Sequence, residues 1–158
     1  MVYQKKAPFR ANHVGSLLRP PELLEAREKH QKGEIGAAEL REVEDRCIRD
    51  VVRMQEDVGM QGITDGEYRR TLWNADFLRQ FDGIKVVEGL STDAVKQFQN
   101  PGSNVQRSPT QFLVTGKLGH PRGIETENFK FLAAATKQTA KQCIPSPSLV
   151  HFRTGRAG

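Results

Sequence analysis

VEDRCIRDVVRMQEDVGMQGITDGEYRRTLWNADF, residues 43–77, is the stretch that decides how this chain folds. From just before it, Leu40, Val43, Cys47, Val51, Met54 and Val58 recur at three- and four-residue spacing. That spacing places one apolar stripe on a helix of about five turns. The other faces carry Glu39, Arg41, Glu42, Glu44, Asp45, Arg46 and Asp50. Gly59 fits the position just past a helix end, where a left-handed residue closes the last turn. Gly62 to Glu67 then reads as a short strand running into a loop. A long amphipathic helix, a glycine stop and a strand with a polar end make an αβ unit.

Working outward, residues 9–16, FRANHVGS, read as a first strand ending in a turn at Gly15-Ser16. Pro21 and Glu22 suit a helix start, and that helix runs to about Gln31. Gly33 to Gly36 is a loop. Trp73, Phe77, Leu78 and Phe81 form a second apolar helical stripe ending at Asp82-Gly83. Ile84–Val87 and Gln111–Thr115 are strand candidates, with a polar excursion at 89–110 rich in turn formers. Glu125–Ala135 reads as a helix with Phe129, Leu132 and Ala133 inward. Cys143 to Ser148 reads as a strand entering a loop. The order predicts three parallel strands with crossover helices and an inserted ribbon.

The chain has 158 residues, 37% hydrophobic and 27% charged, a composition that belongs to globular domains rather than disordered ones. No apolar run approaches the roughly 20 residues that span a bilayer, and the N-terminus lacks the apolar core of a secretory signal. A cytoplasmic protein is expected, with no membrane role. The net charge of +5 raises the question of nucleic acid. The basic residues, however, are scattered among acids and form no block interleaved with aromatics, so no nucleic-acid partner is expected. Cys47 and Cys143 are far apart and fall in no paired motif; both are expected to be reduced and buried.

In parallel α/β folds, ligands gather at the C-terminal ends of strands. Three such places carry small or polar residues here: His13 to Ser16, Thr64 to Glu67, and Pro145 to Ser148. Backbone N–H groups at Gly15-Ser16 can hold a carboxylate; an ordinary turn is the plainer alternative. Glu67 can hold an ammonium group or move a proton, or simply pair with Arg69 or Arg70. Asp65 more naturally orients the loop. His13 can polarise a ligand or be a hydrogen-bonded core histidine. Ser146 and Ser148 have no base beside them and read as hydrogen-bond donors, not nucleophiles. His151 and Arg153 can reach an anion or stay exposed.

FRANHVGSLLRP, the 43–77 segment, VTGKLGHPRG and IPSPSLVHFRTGR, in that order, resemble single-barrel relatives of cobalamin-independent methionine synthase over about residues 8–156. The resemblance implies an α/β fold, a (β/α)8 barrel of the uroporphyrinogen-decarboxylase/methionine-synthase type. Residues 1–158 would form the N-terminal part of one incomplete barrel domain, with roughly 84–118 as the inserted ribbon. It implies a methyltransferase that moves a methyl group from 5-methyltetrahydrofolate to the thiol of homocysteine, giving methionine, with zinc as cofactor. Zinc suits that chemistry, because coordination turns a thiol into the nucleophilic thiolate. In the family the Gly-Ser turn holds the amino-acid carboxylate, which falls on Gly15 and Ser16. The Gly-Glu after the second strand holds the ammonium, which falls on Glu67. The family's zinc ligands, a His, two Cys and a Glu, come from later strands, so no metal ligand is expected in this chain. Alone it is expected to be inactive. The alternatives are a part-barrel completed by self-association or by a complementary C-terminal chain, and a relative that uses another thiol or methyl donor.

Overall fold

The computed structural model describes residues 13–88, 110–120 and 122–149. They divide between two compact units, one comprising Met1–Arg70 with Glu125–Cys143 and the other Thr71–Ile124 with Ile144–Gly158.

In the first unit, α1 spans Pro21–Gln31 and α2 spans Ala37–Asp57. Pro21 stands at the first helical position of α1, where its missing N–H and fixed φ cost nothing. The N–H of Gly36 donates to the Glu39 carboxylate at 3.3 Å, which ties down the start of α2. At the other end, the N–H of Met60 reaches back to the Gln55 carbonyl at 3.0 Å across Gly59, the expected stop. The buried face of α2 is broader than the apolar stripe alone. It holds Glu44, Cys47, Ile48, Val51, Val52 and Gln55, while Met54 and Val58 are exposed. Leu23, Cys47, Ile48, Val51, Val52, Ile63, Tyr68 and Leu132 form one core cluster. Each large side chain removed fully from water contributes about 1.5–3 kcal/mol.

The strand after α2 is β1, Gly62–Ile63. It pairs in parallel with a strand at Thr139–Ala140, Gly62 opposite Thr139 and Ile63 opposite Ala140. A parallel pair needs a long crossover. Here the crossover includes the helix Thr126–Ala135, whose Leu132 is fully buried. That helix presents Phe131 and Leu132 to the core rather than Phe129 and Ala133, both of which are exposed. Two guanidinium groups hold it in this rotation, since Arg69 and Arg49 lie over the Phe131 ring at 4.6 and 5.1 Å.

The strand expected at Cys143–Ser148 is a correction: the strand lies upstream, at 139–140, and 141–146 are irregular. Pro145 and Pro147 have no N–H to give a ladder, and Ile144 is 60% exposed. The first expected strand lies partly outside the described residues, and 13–16 form no strand. Instead, the Thr64 hydroxyl donates to the Gly15 carbonyl, and just past the segment the Leu17 N–H donates to the Gly66 carbonyl.

In the second unit the apolar stripe 73–81 yields only one helical turn, α3, Ala75–Leu78, capped by the Asn74 side chain. Trp73 precedes it and is half exposed. The Asp76 carboxylate accepts from the N–H groups of Thr71 and Leu72, which fixes the entry to the turn. The two strand candidates form an antiparallel ribbon, β2 at Asp82–Glu88 and β3 at Thr110–Gly119, with a register shift between Asp82 and Ile84. Ala75, Leu78 and Phe112 form this unit's core, with Phe77, Phe81, Ile84, Val86 and Leu149 packed against it. In chain order, the helix Thr126–Ala135 is α4 and the strand Thr139–Ala140 is β4.

Candidate functional site

The loop after β1 is built from inside α2. Gln55 is completely buried on the face of α2 that packs beneath β1. Its side-chain amide donates to the carbonyls of Val51 and Thr64 at 2.9 and 2.8 Å, and its oxygen accepts from the Thr64 N–H at 3.0 Å. The Thr64 hydroxyl then donates to the Gly15 carbonyl at 2.8 Å and accepts from the Gly66 N–H at 3.2 Å. One side chain on α2 thereby fixes the end of β1, and through Thr64 it fixes the 13–16 segment. His13 Nε2 also lies 3.1 Å from the Gln55 oxygen.

Beyond Thr64 the chain turns sharply. Gly66 and Glu67 have φ of 66° and 57°, and the N–H of Tyr68 returns to the Asp65 carbonyl at 3.3 Å. Two successive left-handed residues are the mark of a type I′ turn. Glycine suits the first position. At the second a glutamate accepts a sparsely populated conformation, a kind of strain that gathers at functional sites. The Asp65 carboxylate accepts from the Glu67 N–H at 2.9 Å and Arg19 donates to the Glu67 carbonyl at 2.9 Å, so the strained residue is held from two sides. Asp65 therefore orients the loop, as its position suggests.

The turn brings two of the sequence-predicted residues together. Gly15 is buried, and a Cβ placed on it would stand 3.1 Å from Glu67 Oε1 and 2.9 Å from Cys143 Sγ. An added Cβ would crowd both groups, so glycine suits this position and lets the Glu67 carboxylate come close to it. Ser16 beside it is exposed. Glu67 is 8% exposed and Asp65 4%. Glu67's ion-pair partner is Arg70, at 3.5 Å, and not Arg69. Arg69 serves a separate cluster, in which it meets Asp45, Glu44 at 3.6 Å and Asn128 at 3.0 Å. His13 is half buried, and its carbonyl accepts from the Lys141 ammonium. Ser146 and Ser148 lie in the second unit, where their hydroxyls meet at 2.7 Å and both are exposed. His151 and Arg153 lie outside the described residues.

Several residues at the site carry no obvious signal in the sequence. Gln55 is the exception in principle, as a polar residue four positions after Val51 and eight after Cys47 on a buried helix face. Arg19 reads as part of a chain break, Glu125 as a helix start, and Cys143 as a strand residue. Cys143 is half buried rather than buried, and its thiol donates to the Val14 carbonyl. Cys47 is buried as expected. Burial first, and then its contact with Glu22, push its thiol up to about 11, which keeps it protonated at neutral pH.

Burial also raises the Asp65 carboxyl above its ordinary value, against the Glu67 N–H and Arg70, which lower it. The folded chain thus binds this proton more tightly than the unfolded chain does. The resulting stability is fully present below the unfolded value and is lost as pH rises through the folded one. Asp65→Asn keeps an oxygen for the Glu67 N–H and removes the buried charge. Thermal melts are expected to place the variant above the parent near pH ~7 and to show no such gain near pH ~3, below the ordinary aspartate range. A parent that melts higher near neutrality would contradict this.

Among the described residues, no three His, Cys, Asp or Glu side chains gather as a metal would need. The described residues therefore do not fit a zinc ion. No described helix is long and apolar enough to cross a membrane.

No family model matches the chain. The protein YxjH of Bacillus subtilis, itself uncharacterized, is 39% identical over 153 residues, which cover 94% of this chain and 38% of that protein. A 5-methyltetrahydropteroyltriglutamate–homocysteine methyltransferase of a Synechococcus strain is 26% identical over 140 residues, 89% of this chain and 17% of that protein. Among solved structures, a Listeria monocytogenes protein provisionally assigned as a vitamin-B12-independent methionine synthase superposes with a TM-score of 0.68 at 39% identity. The match covers 93% of this chain and 39% of that one. A B12-independent methionine synthase from Shewanella shares the fold, with a TM-score of 0.56 at 19% identity over 75% of this chain and 32% of that one. The chain thus spans well under half the length of the relatives it matches.

Proposed function

The chain matches the cobalamin-independent methionine synthase-like family along most of its length, and from that premise we propose that it supplies the amino-acid-binding part of a cytoplasmic methyltransferase acting on homocysteine. The observation that carries the reading is the approach of the Glu67 carboxylate to the backbone of Gly15. An α-amino acid presents a carboxylate and an ammonium on one carbon. The Gly15-Ser16 backbone suits the first and Glu67 the second. Gly15 and Glu67 are buried, where charge–charge interactions are less screened than in water. In this reading the chain's own work is to bind and orient the amino-acid end of homocysteine or methionine, so that the sulfur projects away from Glu67. Asp65 and Arg19 hold the strained Glu67 backbone in place.

The methyl donor is 5-methyltetrahydrofolate. The zinc that the family uses would be bound outside the described residues. The fold is the first part of a (β/α)8 barrel with the β2–β3 ribbon inserted at roughly 84–118. Two parallel strands, β1 and β4, are present among the described residues, whereas such a barrel closes with eight. The remaining strands would come from further chain, from a complementary C-terminal chain or from self-association. The 158 residues alone would not turn over.

The test is intact mass and elemental analysis of the protein purified from its native source. A mass well above 17.7 kDa, or a bound partner, with about one zinc per barrel is expected. A lone chain of 17.7 kDa without zinc would contradict the methyltransferase reading.

A further inference from the structure

We propose that Arg70 is a positioning residue. Anchored on one side by Glu125 and the Cys143 carbonyl, it fixes the Glu67 carboxylate over Gly15 and thereby sets how strongly the site prefers a ligand bearing an ammonium group. The inference rests on the reading of Glu67 as the ammonium-holding residue and adds the device that aims it.

Arg70 is 3% exposed, and its guanidinium points three ways. Nη1 stands 3.5 Å from Glu67 Oε1, Nε stands 3.5 Å from Glu125 Oε1, and Nη2 donates to the Cys143 carbonyl at 2.6 Å. A planar, permanently charged fork can serve three acceptors in fixed directions, which a lysine ammonium on a flexible stem does not do. The anchor is itself anchored. The Glu125 carboxylate, 6% exposed, accepts from Asn128 at 2.8 Å and from Gln142 at 3.3 Å, and its backbone is left-handed with φ of 64°. The Arg70 carbonyl accepts from Arg19 at 2.7 Å and from Arg27 at 2.9 Å, and its N–H donates to the Glu67 carbonyl at 3.1 Å. Main chain and side chain of Arg70 are therefore both tied to the turn.

The separation from Glu67 matters. At 3.5 Å the contact is an ion pair and longer than a good hydrogen bond, so Arg70 steers the carboxylate without using up its acceptor capacity. Asp65, Glu67 and Glu125 are three carboxyls around this one guanidinium. Without Arg70, Glu67 would lose the ion-pair partner that fixes its direction.

The experiment compares binding of L-methionine with that of its des-amino analogue, 4-(methylthio)butanoate, by calorimetry on the full chain. The parent is expected to favour methionine by about tenfold or more. In Arg70→Met that preference is expected to fall toward one, because an ammonium no longer meets an aimed carboxylate. A purely structural loss would weaken both ligands alike and leave the ratio unchanged. Arg70→Lys, which keeps the charge and loses the fork, is the second variant should Arg70→Met not fold; its ratio is expected to drop by about threefold. An unchanged ratio in the folded variant would overturn the positioning role and leave the reading of Glu67 intact. A parent that shows no preference for methionine would overturn the reading of Glu67 and this inference together.

Discussion

Glu67→Ala is expected to weaken L-methionine binding by about 2–5 kcal/mol, the cost of breaking a buried charge pair on one side. The size follows from where Glu67 sits. It is 8% exposed, on a backbone held left-handed by the Asp65 carboxylate and the Arg19 guanidinium. A ligand ammonium drawn into that turn gives up its water, and only the carboxylate repays it. Removing the carboxylate leaves a buried ammonium without a counter-charge. Titration calorimetry on the parent and the variant, with melting curves to establish that both are folded, measures the effect. Unchanged affinity in a folded Glu67→Ala chain would sink the assignment.

The largest stability effect is expected at Gln55, away from any ligand. Gln55→Leu nearly conserves volume but removes at once the two amide donations to Val51 and Thr64 and the oxygen's contacts with the Thr64 N–H and His13 Nε2. The Thr64 N–H is left buried and unpaired, and its carbonyl loses a donor. Each buried group so orphaned costs about 1–3 kcal/mol, so the variant should lose about 2–4 kcal/mol. For a chain of this size that lowers the melting midpoint by about 5–15 °C. Because Thr64 also carries the Gly15 carbonyl, the 13–16 segment should loosen with it, and faster amide exchange at Gly66 would report this. Arg53→Ala on the exposed face of α2 serves as the comparison and should stay within about 0.5 kcal/mol. Equal melting of Gln55→Leu and parent would mean that the β1 loop does not depend on α2 in this way.

These two residues also mark the boundary of what the sequence makes legible. The helix α2 follows from local spacing, because its buried stripe and both ends are written within 25 residues. Pro21 and Gly59 place helix ends by backbone chemistry that needs no partner. The ribbon strands β2 and β3 appear as short apolar runs and pair as such. The stripe at 73–81 misleads because an i, i+4 pattern of aromatics satisfies a single turn as well as a long helix; Trp73 then lies outside it, half exposed. The strand expected at 143–148 misleads because apolar Ile144 draws attention away from two prolines that cannot enter a ladder.

The site divides along the same line. Gly15 and Glu67 are readable one at a time as residues at strand ends, but their contact spans 52 positions. The contacts that give it meaning are longer still. Arg70 reaches Cys143 across 73 residues, and the Cys143 thiol reaches Val14 across 129. No local pattern encodes such pairs, which arise only when β4 lies down beside β1. Glu125 illustrates the point. It reads as an ordinary acid at a helix start, where negative charge is favoured anyway. Only the folded chain turns it into the far anchor of Arg70.

The most direct measurement is a crystal structure of the chain grown with L-methionine. The account predicts the ligand ammonium within hydrogen-bond distance of the Glu67 carboxylate and its carboxylate on the Gly15-Ser16 backbone. Methionine bound elsewhere, or with its amino group turned away from Glu67, would contradict it.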